Sequence, residues 1–179
     1  MSRPREPMPA KLVIRFLFSD SAVQAEVLRR LESLFGPMDY LSAPGPFPYT
    51  NYYDREMGKD LRRQTAAYAE LIAPIALADA KLRTNELEKD FLHEGGRRVN
   101  IDPGILSEER FVLATGKNFT HRIYLREGIY ADLTLMFQKG AYRSLPWTYP
   151  DYREPEFIHL LGVLRKKLRF QYDGVLPVT

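Results

Sequence analysis

The side chains able to do chemistry cluster in three short stretches. Lys81, Asn85 and Glu88 stand at i, i+4 and i+7, a spacing that puts an ammonium, an amide and a carboxylate on one stripe of a helix. The neighbouring stripe is Leu77, Ala80, Thr84, Leu87 and Phe91, which predicts the core-facing side. In Arg97–Asp102 the two-residue strand period sends Val99 and Ile101 one way and Arg98, Asn100 and Asp102 the other. Asp102 would then be a carboxylate at a strand end, able to take a proton or hold a cation. His121, Arg122 and Tyr124 open a hairpin, with Asp132 across from them.

This set predicts a polar pocket between the helix and the sheet, holding a small anionic molecule. Lys81 and Arg122 would bind the anion, with Asn85, Asn100, Tyr124 and Tyr149 as further ligand-binding groups. His121 with Asp102 or Glu88 would be the acid–base candidates. Each residue also has a plainer reading. The helix stripe is a solvated face, and Asp102 before Pro103-Gly104 is an ordinary turn former. His121 is a core residue, and Arg122–Asp132 is a cross-strand ion pair.

Two aromatic segments support an alternative function, a non-catalytic interaction module. They are Phe47 to Tyr53 and Pro146-Trp147-Thr148-Tyr149-Pro150-Asp151-Tyr152. Their rings offer stacking faces with polar tips, and prolines stiffen the backbone.

Several chemistries are excluded. The chain has no cysteine, so disulfides, thiolate catalysis and iron–sulfur clusters are ruled out. No Walker-type phosphate cradle, G-x-G-x-x-G, G-x-S-x-G or H-E-x-x-H occurs. The three histidines, His93, His121 and His159, are far apart in sequence, so no metal site is expected and no cofactor is indicated. The formal net charge of +3 is too mild to predict nucleic-acid binding. The basic run Arg165–Arg169 closes a helix that Glu154 and Glu156 open, which complements the helix dipole. The longest apolar stretch, Leu12 to Phe18, is broken by Arg15 and falls short of the roughly 20 residues of a membrane span. Residues 1–10 hold three prolines and no apolar run. A cytoplasmic protein is expected.

The elements that must position these groups follow from pattern. The 179 residues, 45% hydrophobic and 27% charged, predict one folded domain over 11–170, between a flexible N-terminal segment and a tail over 171–179. Lys11 to Ser19 alternates as a buried strand. A helix follows, with Ser21 and Gln24 as a capping box and Gly36-Pro37 as its stop. Met38 to Ser42 and Arg62 to Ile72 are strands, the latter ambiguous with helix because of its alanines. Pro74 opens the longest helix, ending near Leu92. Arg97 to Asp102, closed by a turn at Asp102-Pro103-Gly104, and Arg110 to Thr115 are further strands. In the hairpin a three-residue loop, Arg126-Glu127-Gly128, pairs Leu125 with Ile129, Ile123 with Ala131, Tyr124 with Tyr130 and Arg122 with Asp132. Tyr142 to Leu145 adds a strand, and Glu154 to Phe170 is an amphipathic helix. The fold class is α+β with a largely antiparallel sheet. The order through Asp102 is β-α-β-β-α-β, the ferredoxin-like pattern.

Five motifs together carry a resemblance. They are Asn51-Tyr52-Tyr53 with Glu56-Met57-Gly58; Thr84-Asn85 with Glu88; Arg97-Arg98-Val99-Asn100-Ile101-Asp102-Pro103-Gly104; His121-Arg122-Ile123-Tyr124-Leu125 with Gly128-Ile129-Tyr130; and the Pro146–Tyr152 segment. From roughly Ala10 to Leu168 the chain resembles an uncharacterised bacterial family, domain-of-unknown-function family 4416. The resemblance implies no established activity, substrate or cofactor. Some members carry a GTP-binding label, but this chain has neither a P-loop nor an N-K-x-D guanine motif.

Overall fold

Burial along residues 10–18 is unbroken, which only the middle of a sheet covered on both faces can provide. The computed structural model describes residues 3–174. In chain order the elements are β1 (Ala10–Phe18), α1 (Ser21–Phe35), β2 (Met38–Leu41), β3 (Gly45–Pro46), α2 (Asp54–Met57), β4 (Arg62–Ile72) and α3 (Leu77–Lys89). Then come β5 (Leu92–His93), β6 (Gly96–Arg97), β7 (Val99–Leu106), β8 (Arg110–Thr115), β9 (Arg122–Arg126), β10 (Ile129–Gln138), β11 (Ala141–Ser144) and α4 (Pro155–Asp173). The main sheet runs β11-β10-β8-β7-β1-β4-β2, with β3 paired to β4 and β9 to β10, and its ladders are antiparallel. The protein is one α+β domain.

The two faces of β1 bury against different layers. Leu12, Ile14, Phe16 and Phe18 pack under α1 and α3, through Val23, Val27, Leu31, Ala80 and Leu87. Val13 joins Phe111 and Leu113 beneath Phe157, Leu161 and Leu164 of α4. Lys11 and Arg15 share that second face, at 0% and 4% exposure. Lys11 donates to Asp39 Oδ2 at 2.8 Å and to the Tyr68 carbonyl at 2.7 Å. No helix among the described residues is long and apolar enough to cross a membrane.

Several local expectations change. The cap of α1 is Asp20 rather than Ser21: its Oδ1 accepts from the N–H of Ala22 and of Val23, and Arg98 reaches the other oxygen. A carboxylate outcompetes a hydroxyl for orphan N–H groups. Gln24 is thereby released to donate to Gln64 Oε1 at 2.8 Å. Pro74 opens a 3₁₀ turn over Pro74–Ala76, and α3 is 13 residues long against 19 for α4, which is the longest helix. The basic run of α4 therefore lies short of its end and grips neighbours: Arg165 donates to the Glu108 carbonyl, and Lys167 pairs with Asp39. α4 also takes in residues 171–173 of the expected tail, while 175–179 lie outside the described residues.

The hairpin keeps three of its four expected pairs, Tyr124–Tyr130, Ile123–Ala131 and Arg122–Asp132. Its loop, however, is the two residues Glu127-Gly128, both at positive φ (50° and 76°), and Ile129 faces Arg126. This conformation is the type I′ turn, whose twist suits a hairpin, and a bulge beside it restores the register. Most consequentially, Asp102-Pro103-Gly104 is not a turn: β7 runs through it to Leu106, because β1 pairs with it along its whole length.

Two outcomes follow. Asp20→Ala should cost about 0.5–2 kcal/mol in denaturant unfolding, and Asp20→Asn much less. Hydrogen bonds from the Val23 N–H, with Arg98 assisting, lower the Asp20 pKa in the folded state. The cap's contribution is therefore full above the ordinary Asp value of about 3.9 and is lost as pH falls through the lowered folded value. Gly104→Ala would place its Cβ 2.6 Å from Phe111 Cζ and should lower stability by about 1–3 kcal/mol.

Candidate functional site

The sheet opens where β7 parts from β8. Their ladder covers only residues 104–106 against 111–113, although β7 extends back to Val99. Proline has no N–H, so Pro103 cannot continue the ladder. Its nitrogen faces the β8 side, as does that of Ile101 two residues before it. There α3 supplies the partners a strand would have given. Glu88 Oε1 accepts the Ile101 N–H at 2.7 Å, and Lys81 Nζ donates to the Ile101 carbonyl at 2.6 Å. The stripe on α3 thus patches a strand edge, and buried polar backbone stays satisfied.

Below this split lies a cleft of about 650 Å³, walled by α3, β7, the turn after β8 and the two tyrosine segments. Asp102 is its most available carboxylate, with a side chain 37% exposed. Its Oδ1 lies 3.5 Å from Lys81 Nζ, and its Oδ2 accepts from Asn100 Nδ2 at 2.8 Å. Arg97 binds Glu56 through two nitrogens (2.6 and 3.0 Å), Glu88 at 2.8 Å and Asn100 Oδ1 at 3.0 Å. Burial, reinforced by the Asp102 carboxylate, raises the Tyr53 phenol pKa.

On the far wall Arg122 donates to Asp132 Oδ2 at 2.8 Å, to the Lys117 carbonyl at 2.9 Å and to the Tyr149 hydroxyl at 2.8 Å. These bonds from Asp132 and Tyr149 outweigh burial, and the guanidinium pKa is raised. Lys117 lies over the Tyr52 ring, 4.9 Å from its centroid, and is in no ion pair among the described residues. No group of three His, Asp or Glu side chains is placed to hold a metal ion among those residues.

Seven of the expected residues line this one cleft: Lys81, Asn85, Glu88, Asn100, Asp102, Arg122 and Tyr149. His121 and Tyr124 do not. The His121 ring stacks on Trp147 (4.8 Å, 15°), with Nε2 3.2 Å from Asp132 Oδ2, behind the wall. Tyr124 sits on the hairpin surface against Tyr130. Lys81 and Glu88 are 7% and 6% exposed, so their stripe is not a solvated face. Trp147 donates to the Leu133 carbonyl at 2.8 Å, so it is held within the fold.

Residues outside that expectation form the floor. Arg15 lies between the rings of Tyr152 and Phe157, 4.6 and 4.1 Å from their centroids. It donates to the Asp151 carbonyl at 2.9 Å and approaches Asp151 Oδ2 and Glu154 Oε2, each at 3.4 Å. Arg63 meets Glu154 Oε2 at 2.5 Å, and Tyr49 binds the other Glu154 oxygen. Burial lowers the Arg15 pKa and raises that of Asp151. The signal available in the sequence was Arg15 itself, a cation in the middle of an apolar strand.

Fold and site together define an α+β protein with a polar, tyrosine-walled cleft where its central sheet divides. The chain belongs to the family described as Domain of unknown function (DUF4416), whose pattern it matches over residues 8–168. No curated protein and no solved structure matches it.

Arg15→Ala would leave Asp151 with only the more distant Arg63 (3.9 Å) as a counter-charge and an apolar gap beneath Tyr152 and Phe157. It should cost about 3–5 kcal/mol in equilibrium unfolding, well beyond the effect of breaking a solvent-exposed pair such as Arg29–Glu26.

Proposed function

We propose that this is a cytoplasmic protein that binds a small anionic molecule in the cleft, with Asp102 as the group able to exchange a proton with it. The observation that carries the reading is the convergence of seven polar side chains from α3, β7, β9 and the Tyr149 segment on one concave surface. A cleft of this size falls within the usual range for small-molecule sites, about 300–1,000 Å³. The cytoplasmic part rests on the sequence expectation alone. The β7-β1-β4-β2 quartet, connected β1-α1-β2-β4-α3-β7, is read here as a ferredoxin-like frame.

The roles shift from those the sequence assigns. Lys81 and Arg122 are engaged by protein acceptors, so Lys117 becomes the anion-binding cation and Arg122 a positioning residue for Tyr149. Glu88 holds a backbone N–H and Arg97, which leaves Asp102 as the acid–base candidate. His121 acts on the cleft only through Asp132. The interaction-module reading is weaker, because Tyr49, Tyr53 and Tyr149 line a polar cleft, although Tyr52, Trp147 and Tyr149 keep exposed surface.

A thermal-shift series over phosphate, dicarboxylates, sugar phosphates and nucleotides tests this. At least one anionic compound should raise the melting temperature, since a ligand at 100 times its Kd adds about 2.7 kcal/mol. Lys117→Ala should reduce that rise. A flat panel, or a rise unchanged in Lys117→Ala, would overturn the proposal.

A further inference from the structure

We infer that the molecule bound in this cleft is a phosphorylated polyol, of the sugar-monophosphate class, held by its hydroxyls at Asp102 and Asn85 and by its phosphate at Lys117. This rests on the reading of the cleft as an anion-binding site, and it follows from subtracting the hydrogen bonds the protein already makes with itself.

Most of the charged lining is engaged internally. The Lys81 ammonium serves the Ile101 carbonyl and Asp102, and Arg97 serves Glu56, Glu88 and Asn100. Asp132 accepts from Arg122 and lies against His121 and Thr134. What remains is asymmetric. At the α3–β7 end, Asp102 has a part-exposed carboxylate with two contacts against about four lone-pair sites. On the same cleft Asn85, half-buried and one helical turn from Lys81, makes no side-chain hydrogen bond among the described residues. A carboxylate and an amide lining one cleft suit a polyol: the carboxylate accepts from one hydroxyl, and the amide donates to or accepts from another. The other uncommitted groups of the lining are donors. Among the described residues the Lys117 ammonium donates only to the Tyr52 hydroxyl, at 3.3 Å, and the Tyr52 and Tyr149 hydroxyls, each already accepting a hydrogen bond, keep a proton to give. One ammonium and two hydroxyl donors suit a phosphate.

The aromatic wall argues for a sugar over a nucleobase. Stacking needs an open ring face, and at Tyr52 and Tyr49 a cation of the protein already covers one face. Lys117 lies over Tyr52 and Arg63 lies 5.5 Å over Tyr49. Tyr53 stands edge-on to Tyr52 at 5.0 Å and to Phe47 at 6.2 Å. The polar groups this wall offers a polyol are the Tyr52 and Tyr149 hydroxyls.

Isothermal titration calorimetry on the full chain decides it, with a hexose monophosphate and a pentose monophosphate as probes. Inorganic phosphate, the parent sugars, adenosine monophosphate and succinate are the comparison arms. A sugar phosphate should bind at least about tenfold tighter than inorganic phosphate or its parent sugar. Lys117→Ala should weaken sugar phosphate and phosphate alike. Asp102→Asn should weaken the sugar phosphate at least about tenfold and leave phosphate unchanged, and Asn85→Ala, which leaves the Lys81–Asp102 pair intact, should show the same selectivity. Adenosine monophosphate binding more than tenfold tighter than the pentose phosphate would overturn the inference, as would phosphate binding as tightly as the sugar phosphates. Succinate binding that depends on Lys117, with sugar phosphates silent, would overturn it and leave the anion-binding reading standing. No binding by any anion would remove both.

Discussion

Burying a guanidinium in the central strand of a sheet removes it from water at a cost of several kcal/mol unless other charges and rings surround it. Arg15, 4% exposed, imposes that requirement on this fold. Its neighbours in β1 and β4 are apolar or engaged, so compensation comes from afar in sequence: Asp151 and Glu154 before α4, the Tyr152 and Phe157 rings, and Tyr49 acting through Glu154. Satisfying this one cation therefore fixes the start of α4 against the sheet and draws the Phe47–Tyr53 loop over it. The aromatic segments are held in place by the demand of a buried charge, and the cleft is the space they enclose with the far side of β7.

A second constraint sets where that space opens. Pro103 stops the β7–β8 ladder, and Gly104 lets Phe111 approach where the strands are still joined. Beyond that point β7 presents an unpaired edge inside the molecule, an arrangement that ordinarily costs hydrogen bonds. Lys81 and Glu88 meet it from α3 with one donor and one acceptor, at the carbonyl and N–H of a single residue, Ile101. The same two side chains then orient Asp102 and Arg97. Structural repair and site construction are thus one set of contacts, and a change to Glu88 would be felt as lost stability before it was felt in the cleft.

Much of this was legible in the sequence where local periodicity decides. β4 was an alternation over Arg62–Ile72 despite its alanines, and β8 an apolar strand over Arg110–Thr115. The cross-strand partners of Arg122, Ile123 and Tyr124 followed from keeping apolar residues on one face. The convergence of Lys81, Asn85 and Glu88 with Asn100 and Asp102 followed from a helix stripe and a strand face that had to meet. Legibility failed where long-range contacts override local preference. Asp-Pro-Gly is a turn in isolation, but the continuous ladder with β1 keeps it extended. Serine followed by glutamine three residues later is a capping box until Asp20, one residue earlier, takes the N–H groups. The alternation of the hairpin puts His121 on an apolar face, yet only the position of Trp147 decides which way the ring turns. Arg15 was visible, but its partners lie more than 130 residues away and no spacing rule reaches them.

Residue type alone would assign anion binding to every cation on the wall, and that assignment changes once each one's existing partners are counted. A buried Lys81 donating to a backbone carbonyl and a carboxylate has little left to offer a ligand, however well placed it is. Lys117 is ordinary by sequence, in a polar turn after β8, yet among the described residues its ammonium meets a phenol hydroxyl and ring face and no carboxylate within ion-pair distance. The same reasoning separates Asp102 from Asp132: both are carboxylates on the cleft, but Asp132 is 4% exposed and held by Arg122 and His121, whereas the side chain of Asp102 keeps more than a third of its surface open. An ion pair already closed on itself is part of the wall; a half-used one can recognise something else. In this cleft the groups not spent on the fold are a carboxylate, an amide, an ammonium and two phenol hydroxyls, so what the site can recognise is set by acceptors and donors left over after the wall is built.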